Sequence, residues 1–204
     1  MVPLKLPELP NECVAYVPEN YNPKVSYGVL VWLHAPGGFK QEELIARWKP
    51  YCDQHELILL APKSADPTRW QPSEARFVRR VLAEILDKYS IDPMRNVVHG
   101  HEGGGALAYL VAFSSKDVVR GVATVAATMP LLVRPPENDP VYRLAFYTTR
   151  ASKSTNAAQV EAGIKLLRAM KYPVTVVNQG EQTRYLTAEE IDDLMRWIDA
   201  LDRI

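Results

Sequence analysis

The chain has 204 residues, and its 24 Lys and Arg residues balance 24 Asp and Glu residues, so its formal net charge is zero. Hydrophobic residues make up 47% and charged residues 24%, which excludes disordered and fibrous proteins. A balanced charge disfavours nucleic-acid binding, because affinity for a polyanion depends largely on clustered Lys and Arg. The length predicts one domain over residues 1–204.

Neither a membrane span nor a signal peptide is predicted. No segment approaches the roughly 20 apolar residues that a membrane-spanning helix needs, and residues 1–11 lack the apolar stretch of a signal peptide. We expect a soluble protein, whose compartment the sequence leaves open. Residues 1–11 are rich in proline and are interpreted as a lead-in that would suit a linker from an upstream domain. Cys13 and Cys52 lack metal-site spacing, so neither metal nor cofactor is expected.

Short apolar runs alternate with longer amphipathic stretches along the whole chain. The apolar runs predict strands over Glu12–Val17, Tyr27–His34, Leu57–Ala61, Asn96–His99, Val118–Ala126, Tyr142–Thr148 and Tyr172–Asn178. Apolar residues at helical spacing predict helices over Gln41–His55, Pro72–Tyr89, Gly103–Phe113, Asn156–Met170 and Ala188–Asp202. This alternation predicts an α/β fold with a central, mostly parallel sheet and helices on both faces. The first predicted strand is expected at or near an edge, and the continuous runs predict burial of Val29, Val31, Ile58, Leu59, Val97 and Val98.

A glycine-rich turn follows the predicted strand Asn96–His99. The segment Gly100–Gly104 reads GHEGG, which has the G-x-S-x-G spacing of a nucleophile elbow with Glu102 where the serine stands. Glycine suits this spacing because a strained turn leaves no room for neighbouring side chains. A phosphate-binding loop is disfavoured, because neither G-x-G-x-x-G nor a P-loop lysine is present.

Three further segments support the nucleophile-elbow interpretation: the turn Leu33–Phe39, the tryptophan-containing turn Arg69–Glu74 and the closing helix Thr187–Leu201. Together with Ile91–Gly100, they make the chain resemble the α/β-hydrolase superfamily, in particular its polyhydroxybutyrate depolymerase and feruloyl esterase-like branch. The resemblance implies a single α/β-hydrolase-like domain. It also implies an oxyanion hole formed by backbone N–H groups at Ala35, Gly37, Gly38 and Gly103.

The resemblance further implies a Ser nucleophile, a His base and an acid that orients the His. Glu102 takes the nucleophile position. The loop after the strand Tyr142–Thr148 would carry the acid but contains Arg150 and Lys153 instead. The loop after the strand Tyr172–Asn178 would carry the base but contains Gln182. The histidines of the chain all precede residue 102 and are His34, His55, His99 and His101.

These departures predict a catalytically degenerate domain that acts as a binding or assembly module, of the kind attached to larger bacterial proteins in related families. Its partner would be another protein, an upstream domain, a second copy in a homodimer or a small-molecule ligand. The alternative is a carboxylic-ester hydrolase with a non-standard site around Glu102, so enzymatic activity stays open, with inactivity favoured.

Glu102 itself has three interpretations: a structural carboxylate at a helix N-terminus, a ligand-binding carboxylate, or a nucleophile. A nucleophile would need a base from His34, His99 or His101, and neither of the last two is expected to point toward it. Because a partly buried carboxylate is unfavourable unless it is paired, we predict that Glu102 is held by the helix N-terminus and by a side chain from the later loops. The candidates for that contact are Arg150, Lys153, Gln182 and Arg184.

Overall fold

The computed structural model describes residues 1–131 and 133–204. Within these residues, one sheet contains the strands β1 (Val2–Lys5), β2 (Glu12–Tyr16), β3 (Tyr27–Leu33), β4 (Leu57–Pro62), β5 (Ile91–His101), β6 (Gly121–Val125), β7 (Ala145–Arg150) and β8 (Val174–Asn178). The helices are α1 (Gln41–Gln54), α2 (Ala75–Lys88), α3 (Gly103–Ser114), α4 (Ala157–Ala169) and α5 (Ala188–Asp199). Short 3-10 turns at Pro72–Glu74 and Leu201–Arg203 precede α2 and follow α5.

The strand order in the sheet is β1-β2-β4-β3-β5-β6-β7-β8. The pairs β1–β2 and β2–β4 are antiparallel, and all pairs from β4 to β8 are parallel. In the centre, Val29 of β3 lies opposite Ile58 of β4 and Asn96 of β5. The predicted α/β fold with a mostly parallel sheet is therefore confirmed.

Helices cover both faces because alternate residues of the central strands enter two apolar clusters. Val29, Val31 and Leu33 of β3 pack in the cluster that also holds α2, α3 and Leu167 of α4. Leu30 and Trp32 of β3 pack in the cluster that holds α1 and α5. All six core residues named from the sequence are buried. One sheet carries both clusters, which makes the fold a single domain.

The sequence analysis missed strand β1. Residues 1–11 were interpreted as a proline-rich lead-in, but Val2–Lys5 pairs with β2 in the register Val2 opposite Ala15. A proline is tolerated in β1 because β1 is an edge strand. Strand β2 is thus second from the edge of the sheet. The linker from residues 1–11 to an upstream domain stays a prediction. Among the described residues, each helix is too short or too polar to cross a membrane.

Candidate active site

Glu102 lies between the end of β5 and the start of α3, at the turn where the motif predicted it. Its backbone dihedral angles are φ 49° and ψ −116°, a conformation that side-chain-bearing residues rarely adopt and that stores strain. The Glu102 N–H donates to the Val125 carbonyl of β6 at 2.9 Å, and the Glu102 carbonyl accepts from the Ala106 N–H at 3.1 Å. The backbone of this residue is therefore fixed by a hydrogen bond on each side.

The two outer glycines of the motif lie where backbones approach closely. A Cβ on Gly100 would overlap the Gly104 carbonyl group, and a Cβ on Gly104 would lie 2.5 Å from the His34 carbonyl oxygen. These contacts are with backbone atoms, which cannot move aside as a flexible side chain can. Glycine at both positions lets β3, β5 and the start of α3 meet at the base of the turn.

The turn after β3 lies beside the start of α3, as the resemblance implied. Pro36 ring atoms lie 3.8 Å from the position that a Cβ on Gly103 would take. Gly37 and Gly38 have φ of 97° and 72°, so glycine supplies the turn. The Gly37 N–H already donates to Pro67 at 2.7 Å. Within the described residues, the N–H groups of Ala35, Gly38 and Gly103 have no protein acceptor and remain as donors.

His34 anchors this turn from below. Its Nδ1–H donates to the Ala35 carbonyl at 2.7 Å, and its Nε2 accepts from the Ser64 N–H at 3.1 Å. The Trp70 indole N–H donates to the His34 carbonyl at 2.9 Å. Burial lowers the pKa of His34, which keeps the ring neutral. With both ring nitrogens bonded, His34 positions the turn and is not available as a base.

His101 lies next to Glu102, contrary to the expectation that it points elsewhere. His101 Nε2 is 3.8 Å from Glu102 Oε1, with the His101 side chain 20% exposed and that of Glu102 51% exposed. Burial lowers the pKa of His101, although the Glu102 carboxylate opposes the shift. A neutral imidazole therefore lies beside a half-exposed carboxylate. His101 is the last residue of β5 and Glu102 follows it directly at the turn, which brings the two side chains together.

Tyr185 is a site residue that the sequence analysis did not identify. It comes from the loop between β8 and α5, where the resemblance placed a histidine. Its hydroxyl accepts from the Trp32 indole N–H at 2.8 Å and donates to His99 Nε2 at 2.8 Å. His99 in turn donates from Nδ1 to the Ala123 carbonyl at 3.0 Å. This chain of three hydrogen bonds, the buried relay, fixes the loop against the sheet under Glu102.

The buried relay has strongly shifted pKa values. Burial lowers the pKa of His99 to about 4, and it raises that of the Tyr185 phenol. Both groups are therefore neutral over the physiological range of pH. The ring of Tyr185 also packs against His101, with 5.1 Å between ring centroids. The relay therefore positions the Tyr185 ring, which packs against the His101 imidazole beside Glu102.

The predicted contacts of the Glu102 side chain are wrong: within the described residues it makes no capping hydrogen bond at the start of α3 and no contact with the charged groups of the later loops. Arg150 pairs with Glu161 at 3.2 Å, Lys153 pairs with Glu181 at 2.7 Å, and Arg184 binds Glu190 at 2.9 Å. Gln182 is exposed, and within the described part of the chain it makes no hydrogen bond to Glu102. Water solvates the half-exposed Glu102 carboxylate, so it needs no cationic partner, and each cation has a nearer carboxylate.

Glu102 lines an open cleft of about 360 Å³. One wall is Gly103 and Ala106 of α3, and another is the segment from Ala126 to Thr128 that follows β6. The loop after β7 contributes Ser154, Thr155 and Asn156, and the loop after β8 contributes Thr183. The cleft is therefore lined by the carboxylate, by the start of α3 and by hydroxyl and amide side chains.

No protein-family model matches this chain, and no curated protein does either. Among solved structures, a thermostable esterase matches with a TM-score of 0.67 and 16% identity, over 98% of this chain and 59% of its own. The carboxylesterase of Bacillus cereus matches with a TM-score of 0.67 and 19% identity, over 94% of each chain. An acetyl xylan esterase from Aspergillus awamori matches with a TM-score of 0.72 and 12% identity, over 93% of this chain and 94% of its own.

These matches contradict the first functional interpretation, that of a catalytically degenerate binding or assembly module. That interpretation depended on the missing Ser, His and acid alone. Structures that match nearly the whole of this chain include several esterases and a fluorophosphonate-binding serine hydrolase from Staphylococcus aureus. They support the alternative better, that of an ester hydrolase. The depolymerase and feruloyl esterase-like branch stays a prediction.

The eight-stranded, mostly parallel sheet with helices agrees with these comparisons. At identities of 12–19% the likeness concerns the backbone and not the side chains of the site. The chain has the α/β-hydrolase fold.

Proposed function

We propose that this protein is a carboxylic-ester hydrolase in which Glu102 is the catalytic carboxylate. The observation that carries the proposal is the conformation of Glu102, φ 49° and ψ −116°, at the elbow beside an open cleft. A strained residue is maintained only where the surrounding structure fixes it, and such residues concentrate at functional sites. The free N–H groups beside Glu102 supply the second requirement of acyl transfer, a site for a developing oxyanion.

In the proposed reaction Glu102 acts as a general base on water. A water oxygen attacks the ester carbonyl carbon while one water proton passes to Glu102. The carbonyl oxygen becomes an oxyanion that accepts hydrogen bonds from the Gly103 N–H and from Ala35 or Gly38, near the positive end of the α3 dipole. When the intermediate collapses, the C–O bond to the alcohol breaks and the alcohol takes the proton from Glu102. The products are a carboxylic acid, an alcohol and the original carboxylate.

This route fits a chain whose histidines all precede Glu102. The water route needs one proton acceptor, and no covalent intermediate has to be hydrolysed by a second base. His101 remains neutral at 3.8 Å, so it forms no ion pair with Glu102 that would hold the carboxylate out of the reaction. We assign His101 a supporting role beside the carboxylate.

The test is hydrolysis of p-nitrophenyl acetate by the wild-type protein and by Glu102→Gln. We expect the wild type to hydrolyse the ester and the variant to lose at least about 100-fold in kcat/KM, because positioned general bases contribute 10²- to 10⁴-fold. Glu181→Gln is the matched control, since it makes the same change at an exposed loop carboxylate. Equal rates in the wild type and Glu102→Gln would overturn the proposal.

A second measurement separates the base from the nucleophile that the sequence analysis considered. Turnover in H₂¹⁸O places the label in the product acid alone if Glu102 activates water. A nucleophilic Glu102 would form an anhydride, and attack of water at the Glu102 carbonyl carbon of that anhydride would leave label in the Glu102 side chain. Label in the peptide that contains Glu102, detected by mass spectrometry, would therefore show a nucleophilic Glu102, and we expect no label there.

A further inference from the structure

An apolar groove of about 670 Å³ lies beside the cleft, between α4 and the segment that follows β6. Its apolar lining includes Met129, Leu131, Val133, Ala158, Ala162 and Leu166. Leu131 is 92% exposed and Leu166 is 42% exposed, which is unusual for large aliphatic side chains on one patch. Exposed apolar patches of this kind commonly mark binding sites.

The groove and the Glu102 cleft are lined by successive stretches of the same two segments of the chain. Thr128 and Asn156 line the cleft, whereas Met129 and Ala158, one and two residues further along the chain, line the groove. The Asn156 side-chain amide donates to the carbonyl of Ala126, the residue after β6, at 3.3 Å, which holds the start of α4 beside this segment. A molecule that reaches Glu102 through the cleft can therefore extend into the groove.

The wall formed by α4 is smooth and of defined length. Ala158, Ala162 and Leu166 are spaced four residues apart, so they lie on one face of the helix over about 12 Å. Gly163 adds no side chain, and a Cβ there would already contact Met129 Cβ at 3.6 Å. The length corresponds to an extended chain of about ten carbons.

We propose that this groove binds the acyl chain of a medium-chain ester, an inference that rests on the proposed ester hydrolysis at Glu102. Its lining is apolar apart from Arg134 and Gln159, so it suits a hydrocarbon chain and not a sugar or a charged group. Its continuity with the cleft favours a substrate chain over a protein partner. The ester carbonyl would sit at Glu102 and the acyl chain would run along α4.

The test compares p-nitrophenyl acetate with p-nitrophenyl octanoate as substrates of the wild type, Ala162→Phe and Ala169→Phe. Ala162 is exposed, so a phenylalanine there fills the groove without disturbing the core. Ala169 is an exposed alanine of the same helix that does not line the groove, which makes it the matched control. Denaturant unfolding checks that both variants are folded.

Each buried methylene is worth up to about fourfold in affinity. We therefore expect the wild type to prefer octanoate over acetate by at least about tenfold in kcat/KM. Ala162→Phe should lower kcat/KM for octanoate and so remove most of that preference, whereas Ala169→Phe, which lies outside the groove, should preserve it. Acetate hydrolysis that depends on Glu102, without preference for octanoate, would overturn the groove proposal and leave the proposed function standing.

A binding measurement keeps the groove testable if no ester is hydrolysed. Sodium octanoate is titrated into the wild type and into both variants, and binding is followed by calorimetry. Octanoate binding that Ala162→Phe weakens at least about tenfold, and Ala169→Phe does not, supports the groove even where the proposed function fails. No binding to the wild type, or binding that Ala162→Phe leaves unchanged, overturns the groove proposal.

Discussion

The site has a buried floor and an exposed rim, which are built from different interactions. The floor consists of the close approach at Gly104 and of the buried relay through Trp32, Tyr185 and His99. The rim consists of surface ion pairs in the later loops, of which Lys153–Glu181 is typical. The floor fixes the position of the elbow, because close backbone contacts and hydrogen bonds shielded from water leave it no room to move. The ion pairs of the rim do not contact the elbow.

Because the two regions differ in solvent exposure, their interactions contribute differently to the free energy of unfolding. The Lys153 and Glu181 side chains are 63% and 66% exposed, and pairs of this kind contribute about 0–1 kcal/mol. A polar group in the floor has no water to replace a lost partner, so its removal costs about 1–3 kcal/mol. Substitutions in the floor should therefore change stability and activity together, and substitutions in the rim should change neither.

The largest effect is expected for Gly104→Ala. The added Cβ would lie 2.5 Å from the His34 carbonyl oxygen, so α3 must move away from β3, at a cost of about 3 kcal/mol or more in unfolding free energy. Ester hydrolysis should fall with it, because the elbow moves. Gly103→Ala is the control, since its Cβ would meet only Pro36 at 3.8 Å. Equal urea denaturation midpoints for the two variants would show that the floor is not sterically fixed.

The next effect is a dependence of stability on pH through His99. Its pKa is about 4 in the folded protein against an ordinary value of 6.5, so the unfolded chain binds more protons between these values. Stability is therefore retained above pH 6.5 and falls as the pH falls toward 4, by about 2 kcal/mol between pH 7 and pH 5. We expect the unfolding free energy of His99→Gln to lack this decrease between pH 7 and pH 5. Urea unfolding of both proteins at the two pH values measures it. Identical slopes in the two proteins would mean that His99 is solvated.

The smallest effect is expected at the rim. Lys153→Ala removes the ion pair with Glu181, and we expect less than about 0.5 kcal/mol in unfolding free energy and less than a twofold change in hydrolysis. The same urea and p-nitrophenyl acetate measurements apply. A loss of 2 kcal/mol in unfolding free energy, or a tenfold loss in hydrolysis rate, would show that the rim contributes as much as the floor.

Much of the fold could be predicted from the sequence, because the buried central strands have continuous apolar runs. All residues of β3 and β4 are buried, and both strands were predicted within a residue of their observed ends. Strand β1 could not be predicted in the same way, because it has four residues, includes a proline and is recognisable only once its partner is known.

The site could be predicted only as far as local spacing determines it. The motif placed Glu102 at the elbow, because glycine positions reflect backbone geometry. The partners of the side chains depend on loops that are distant in sequence: Tyr185 binds His99, which lies 86 residues earlier. The exposure of Glu102, which decides whether a carboxylate needs a cation, follows from the packing of several loops and has no signature in the sequence.

The strand order of the sheet also bears on how the chain folds. The central strand β3 takes both of its neighbours, β4 and β5, from later in the chain, and parallel neighbours are always separated by a crossover. Few of its contacts are local, and such topologies form slowly. Until β5 arrives, the apolar edge of β3 that will pair with β5 is open to other chains. We therefore expect the yield of soluble protein during synthesis to be limited by the time before β5 docks, more than by the stability of the finished fold.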